Sequence, residues 1–194
     1  MAVKTAFASF PSLATDRFSL RQIRPSDSEA FFQIKSDPEV TASYGQEPHR
    51  SLQETEAWVQ RVQDHYARQE AIVWVITFKG QDLAIGACTY WHFDSGFHCG
   101  EIGYELHRGF WGQGIVSEVL PTVISFGFRE IGLNRIEANP LGRNPKSSRI
   151  LQKLGFTHEG TLRQRHFFRG AYDDELYFGL LKEEWLLMGD KAPN

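Results

Sequence analysis

The chain has 194 residues, 41% hydrophobic, 13% aromatic and 23% charged, with a formal net charge of −3. Five Trp, fifteen Phe and six Tyr are too many apolar groups to leave in water, which excludes a disordered chain, and the acidic balance speaks against a general nucleic-acid binder. The length suits one domain, residues 1–194, with a sizeable core.

The first six residues put no sustained apolar stretch behind a basic start, so no secretory signal is read there. Residues 17–24 read as a strand with Phe18 and Leu20 on one face. The capping-box pattern of Ser26 and Glu29 predicts a helix running to about Ile34. Asp37-Pro38-Glu39 opens a further short turn of helix. A second capping box, Ser51 with Glu54, opens a longer helix whose apolar face carries Trp58, Val62 and Tyr66. The period then shortens to a meander of three strands, 71–78, 83–91 and 101–107, with turns at 79–82 and 94–96. Its longest apolar run, Ala71 to Ile76, falls far short of the ~20 residues a membrane span needs, so no membrane partner is expected.

Gly109, Gly112 and Gly114 follow the meander and precede an apolar helical stretch that Gly132 stops after Ile131. Pro121 inside it predicts a kink. A short strand at 135–139 leads to a basic helix from Asn144-Pro145 to Leu154, closed by Gly155. Residues 157–168 and 174–181 form a last hairpin about Arg169-Gly170. A meander followed by alternating helices and strands means a mixed α/β sheet rather than a doubly wound start. Cys88 and Cys99 supply neither a disulfide framework nor a four-ligand zinc site, so the expected home is the cytoplasm, with no metal.

Charge is unevenly spread. Residues 129–169 hold nine Lys and Arg against three Asp and Glu, a net +6 inside a chain that is otherwise −9. That contrast suggests an anionic ligand near the basic tract. The glycine-rich loop suggests the same. Glycines let the backbone turn tightly, and the first helical turn then aims its free N–H groups at an anion. A P-loop is excluded because Ile115 and Val116 stand where Lys and Ser or Thr belong, and a dinucleotide fingerprint because Ser117 stands where its third glycine belongs.

These segments together resemble the GNAT superfamily of acyl-CoA-dependent N-acetyltransferases, and within it the RimJ/RimL branch. The matching pieces are 21–25 (RQIRP), 101–104 (EIGY), 111–114 (WGQG), 135–138 (RIEA), the 144–156 block and the closing 180–185. The resemblance implies an α+β fold with a mostly antiparallel mixed sheet, splayed at its centre and flanked by helices. It implies acetyl-CoA as co-substrate, with the pyrophosphate on the backbone of Gly112, Gln113, Gly114, Ile115, Val116 and Ser117. Leu106 and His107 would stand at the strand end, Asn144 and Ser147 near the pantetheine arm and thiol, and Arg149 toward the adenosine phosphates. The family often has a Tyr acid on the second cofactor helix; Leu151 stands there, and the branch's Ser matches Ser147.

Acetyl transfer to an amine needs a proton acceptor, because a lysine-like or α-amine is largely ammonium at neutral pH. Alternation places Glu101, Gly103, Glu105 and His107 on one face of the third meander strand. Glu101 and Glu105 are about 13 Å apart along it, so each is a separate candidate base, with a water chain as the alternative. The resemblance favours Glu101. A route through a Cys99 acyl intermediate is the rival mechanism and lacks an Asp or Asn partner. The acceptor, a protein N-terminus or small amine, would meet Tyr44, Trp91, Phe97, Arg165 and Asp174. A monomer or homodimer is compatible with the chain. The reading of a different class is a CoA-binding sensor without turnover.

Overall fold

The computed structural model describes residues 7–94, 96 and 98–189. Its centre is one eight-stranded sheet: β1 (Leu13–Ala14), β2 (Phe18–Gln22), β3 (Ile72–Phe78), β4 (Gly86–Asp94), β5 (Cys99–Leu106), β6 (Arg135–Ala138), β7 (Thr157–Phe168) and β8 (Ala171–Leu181). The spatial order is β1-β2-β3-β4-β5-β6-β8-β7, antiparallel throughout except between β5 and β6. This is the mixed, mostly antiparallel α+β arrangement that the resemblance implied.

The first helix, α1 (Ser28–Lys35), starts later than Ser26 implies, because Pro25–Asp27 form a 3₁₀ turn. Asp27, 4% exposed, receives both terminal nitrogens of Arg21 at 2.7 and 2.8 Å and so ties the helix entry to β2. A short helix, α2 (Pro38–Ala42), is capped by Asp37. In α3 (Leu52–Ala67) the Ser51 hydroxyl accepts the Glu54 N–H, while the Glu54 carboxylate reaches back to the Arg50 N–H.

After β5 comes α4 (Ile115–Phe126), which runs unbroken through Pro121. The expected continuation to Ile131 is a π turn, Gly127–Ile131. Gly127 is required there, because a Cβ would lie 2.5 Å from the Tyr90 hydroxyl, itself bonded to the Val123 carbonyl. The remaining helices are α5 (Pro145–Lys153) and α6 (Lys182–Leu187).

Two apolar layers hold the sheet. On one face Trp74, Ile76, Tyr90 and Ile102 pack against Val119, Val123 and Ile124 of α4. On the other, Val73, Val75 and Ala87 pack against Phe31, Ile34, Val59 and Val62 of α1 and α3. Residues 72–76 of β3 are at most 6% exposed on either face, and each fully buried aliphatic side chain contributes roughly 1.5–3 kcal/mol.

The β5–β6 ladder lasts only three residue pairs, Cys99–Glu101 with Arg135–Glu137. Beyond Ala138 the chain stays with β8 instead, the Pro140 carbonyl accepting the Leu176 N–H and the Gly142 N–H donating to the Asp174 carbonyl. The sheet therefore parts here, leaving a V-shaped opening between the last half of β5 and the chain that follows β6.

Candidate active site

The His107 N–H donates to the Ile85 carbonyl, which fixes the parity of the β4–β5 ladder. In an antiparallel pair the hydrogen-bonded positions alternate. Odd-numbered residues of β5 thus bond across to β4, and the backbone groups of Tyr104 and Leu106 are directed the other way, into the opening. Side chains alternate as well. Ile102, Tyr104 and Leu106 join the α4 layer, while Glu101, Gly103 and Glu105 share the opposite face, as the spacing predicts.

A crevice of about 710 Å³ occupies the opening on the α4 side. Its end wall is the glycine loop. Gly112 and Gly114 have φ of +76° and +74°, the left-handed region where a side chain is strained. A Cβ at Gly112 would meet nothing within 4 Å, so the loop's outer surface is open to a ligand. Gly114 is the N-cap of α4, and the first-turn N–H groups of Ile115, Val116 and Ser117 have no intrahelical partner. All three residues line the crevice. Main-chain donors at a helix N-terminus fit a diphosphate.

The loop is braced from outside. Arg17 bonds Glu118 at 2.6 Å and donates to the Gln113 carbonyl at 3.3 Å. Trp111 donates its indole N–H to the Leu106 carbonyl at 3.0 Å, and the Lys146 ammonium stands 5.0 Å from its ring.

The opposite wall is α5. Asn144 caps it, accepting the Ser147 N–H at 3.2 Å and donating to the Ser43 carbonyl at 3.3 Å. The Ser147 hydroxyl lies 2.7 Å from that of Tyr104, so the two bridge the opening. Burial pushes the Tyr104 phenol up to about 12, so it stays protonated.

A second cavity, about 1040 Å³, lies against the Glu101–Glu105 face. Its floor is Trp91, whose indole lies over Gly103; a Cβ there would come 2.2 Å from the ring. Glu101 accepts from the His92 ring at 2.9 Å. Glu105 is differently held. It bonds Lys35 at 2.8 Å, with side chains 11% and 9% exposed, and accepts the Tyr44 hydroxyl at 3.0 Å. The Lys35 ammonium stands 4.4 Å from the Trp58 ring and 5.2 Å from the Tyr44 ring. Burial, then the negative charge of Glu105, raises the Tyr44 phenol. Ser43, Tyr104, Glu105, Asn144 and Ser147 line both cavities, and the two spaces meet there.

The structure thus gathers Leu106, Gly112, Gly114, Ile115, Val116 and Ser117 in the crevice. Glu101, Tyr44 and Trp91 line the second cavity, and Glu105, Asn144 and Ser147 the junction. It separates five expected residues from both spaces. His107 falls on the far side of the strand end, where its ring accepts the Gly109 N–H. The Gln113 side chain turns back to the Gly109 carbonyl. Arg149 lies on an outer face of α5, and Arg143 and Lys146 are the basic residues that line the crevice. Asp174 accepts the Gln164 N–H within the hairpin, and Glu175 takes the cavity wall instead. Arg165 is 65% exposed; Phe97 lies outside the described residues.

The +6 tract is partly offset by acids from outside it, Asp173 and Glu47. Arg135 binds Glu137 and Glu159, Arg143 binds Asp173, and Arg169 binds Glu47. Cys99 lines neither cavity, and burial, with Glu137 nearby, pushes its thiol up to about 11. Tyr104 and Lys35 escaped the sequence reading. Lys35 carried a signal, since it follows Phe31 and Ile34 on the apolar stripe of α1. Among the described residues no group of three or more His, Cys, Asp or Glu could hold a metal ion, and no helix is long and apolar enough to cross a membrane.

The family model described as an acetyltransferase (GNAT) domain matches residues 17–157. The uncharacterized N-acetyltransferase YoaA of Bacillus subtilis (strain 168) is 38% identical over 169 residues, 87% of this chain and 96% of that protein. The ribosomal-protein-serine acetyltransferase of Escherichia coli (strain K12) is 34% identical over 97 residues, 50% of this chain and 54% of the relative. A solved structure of RimL, a ribosomal L7/L12 alpha-N-protein acetyltransferase in complex with coenzyme A, superposes with a TM-score of 0.79 at 22% identity. It covers 88% of this chain and 98% of that one, a likeness of fold.

Proposed function

The chain belongs to the GNAT acetyltransferase family and is an N-acetyltransferase; from that premise we propose that it moves the acetyl group of acetyl-CoA to a primary amine by direct attack while both are bound. The observation that carries this reading is the meeting of two cavities at Tyr104, Glu105 and Ser147, one with an anion cradle and the other with carboxylates and aromatic rings.

The residues present fit the co-substrate. The N–H groups of Ile115, Val116 and Ser117 would hold its diphosphate, with Lys146 and Arg143 adding positive charge. When bound, acetyl-CoA supplies an acetyl group activated as a thioester. Glu101, reaching the amine through water, takes the proton that the acceptor ammonium must lose. The Leu106 N–H, directed into the opening, donates to the oxygen on which negative charge develops. Ser147 Oγ holds a proton for the departing sulfur, and the Tyr104 hydroxyl 2.7 Å away fixes its orientation. Glu105 anchors Tyr44 and Lys35 at the junction, the role its paired geometry supports. The high thiol pKa of Cys99 supports direct transfer over an acyl-cysteine.

The name of the Escherichia coli relative supports a protein as one class of acceptor, with its N-terminal amine taken as the reacting group and a small amine as the other class. The test is thiol release from acetyl-CoA against a panel of amines and ribosomal-protein N-terminal peptides. Steady turnover with at least one amine is expected. Tight acetyl-CoA binding with no turnover on any of them would overturn the reading in favour of a non-catalytic CoA-binding module.

A further inference from the structure

On the sheet face that the second cavity covers, two indole rings each accompany a carboxylate of β5. The first such pair holds an ammonium of the protein's own. Lys35 bonds Glu105 at 2.8 Å, and its ammonium stands 4.4 Å from the Trp58 ring and 5.2 Å from the Tyr44 ring. An ammonium taken out of bulk water is held well in this way, because the carboxylate offsets its charge and the aromatic faces offset part of its lost hydration.

The second pair is Trp91 with Glu101. The two residues are directly opposed across the β4–β5 ladder, which puts their side chains on one face with Cβ atoms about 5 Å apart. The indole leans along the strand over Gly103, where a Cβ would lie 2.2 Å from the ring, so the glycine is what lets the ring lie there. Gly103 immediately precedes Tyr104 and Glu105, two residues of the junction, and Trp91, Glu101 and Gly103 all line the second cavity. The half-buried ring therefore borders the place where the reacting nitrogen must arrive. The Glu101 side chain is 17% exposed, and among the described residues its ionic partner is the His92 ring, 75% exposed and charged only when protonated, where Glu105 has a lysine.

We propose that Trp91 is the platform on which the acceptor's ammonium rests beside Glu101 before it gives up its proton. The Trp91 ring and Glu101 do for the substrate what the Trp58 ring and Glu105 do for Lys35. Trp91 is thus a positioning residue that acts on binding, and its loss raises KM for the amine with little change in kcat. The inference rests on the acetyl-transfer reading and narrows its acceptor to strongly basic aliphatic amines, which are ammonium at neutral pH, over weakly basic aryl amines, which enter uncharged.

The experiment titrates n-butylammonium and its uncharged isostere 1-butanol, separately, into the CoA-saturated protein, which has no acetyl group to give. Binding is followed by the indole N–H resonances in NMR spectra, and that of Trp91 is identified by its loss in Trp91→Leu. The wild-type protein binds the cation about tenfold or more tighter than the alcohol, and the Trp91 resonance moves with the cation. Trp91→Leu lowers that ratio by about fivefold to thirtyfold, the size of a desolvated cation–π contact. Trp91→Phe retains part of it. Gly103→Ala keeps the indole but displaces it, lowers the ratio in the same direction, and carries the test should Trp91→Leu fail to fold. Equal binding of cation and alcohol by the wild type overturns the platform and leaves acetyl transfer standing, and so does a ratio that Trp91→Leu and Gly103→Ala leave unchanged because both ligands weaken alike or not at all. A ratio set by Trp91 together with no turnover on any amine supports the ammonium platform and overturns acetyl transfer alone.

Discussion

Replacing Lys35 by Met tests how the junction is held. Lys35 and Glu105 are 9% and 11% exposed, bonded at 2.8 Å, and the ammonium also stands 4.4 Å from the Trp58 ring. Methionine keeps the apolar stem and removes the charge, so Glu105 is left buried without its cation. Breaking a buried pair on one side costs about 3–5 kcal/mol, against ~1 kcal/mol or less for an exposed one. For a chain of this length each kcal/mol moves the midpoint by roughly 2–4 °C, so thermal unfolding should shift down by about 6–20 °C. The cost belongs to the stranded carboxylate, so Lys35→Met with Glu105→Gln should recover most of it. Circular dichroism melts of the two single variants and the double variant measure the coupling. A loss below ~1 kcal/mol in Lys35→Met, or a double variant that simply adds the two single losses, would refute the idea of a desolvated pair organising the junction.

Glu101→Gln is expected to lower kcat/KM by about a hundredfold at neutral pH with partial rescue at high pH, since hydroxide then does the base's work; an unchanged pH–rate profile rejects Glu101 as the base. Gly114→Val places a β-branched residue at φ +74° in the cradle, which should cost roughly 1–2 kcal/mol of stability and raise KM for acetyl-CoA far more than KM for the amine. Tyr104→Phe removes the 2.7 Å bond to Ser147 and should lower kcat severalfold with little change in KM for the amine, read by steady-state kinetics. Burial pushes the Glu118 carboxyl up, but hydrogen bonds from the Thr15 hydroxyl and from Arg17 outweigh it and hold it below the usual carboxylate range. Its stabilising share is therefore complete above about pH 4.3, the unfolded value, and is lost as pH falls below that. Glu118→Gln should flatten the loss of stability on acidification, followed by urea midpoints between pH 3 and 6.

Local chemistry made much of the fold readable. Ser51 with Glu54 marked the long helix, the glycine spacing marked the turn into α4, and alternation put Glu101 and Glu105 on one face. What escaped depended on partners far along the chain. Two arginines of the basic tract pair with acids from outside it, Glu47 and Asp173, while Arg143 and Lys146 of the same tract line the crevice. The Tyr104–Ser147 bridge joins residues 43 apart, and no spacing announces it. Asp174 stood in for Glu175 because which of two neighbouring acids faces the cavity is set by pairing with the chain after β6, where Leu141 bridges Glu175, and the sequence does not announce that pairing. The two-residue β1 and the closing α6 were too short to leave a periodic trace.

The brevity of the β5–β6 ladder has a wider consequence. The working space of this molecule exists because a pair of strands stops zipping after three rungs. A change that lengthened their pairing and made the protein harder to melt would do so by narrowing the vestibule. Selection for robustness and selection for turnover pull in opposite directions along that seam.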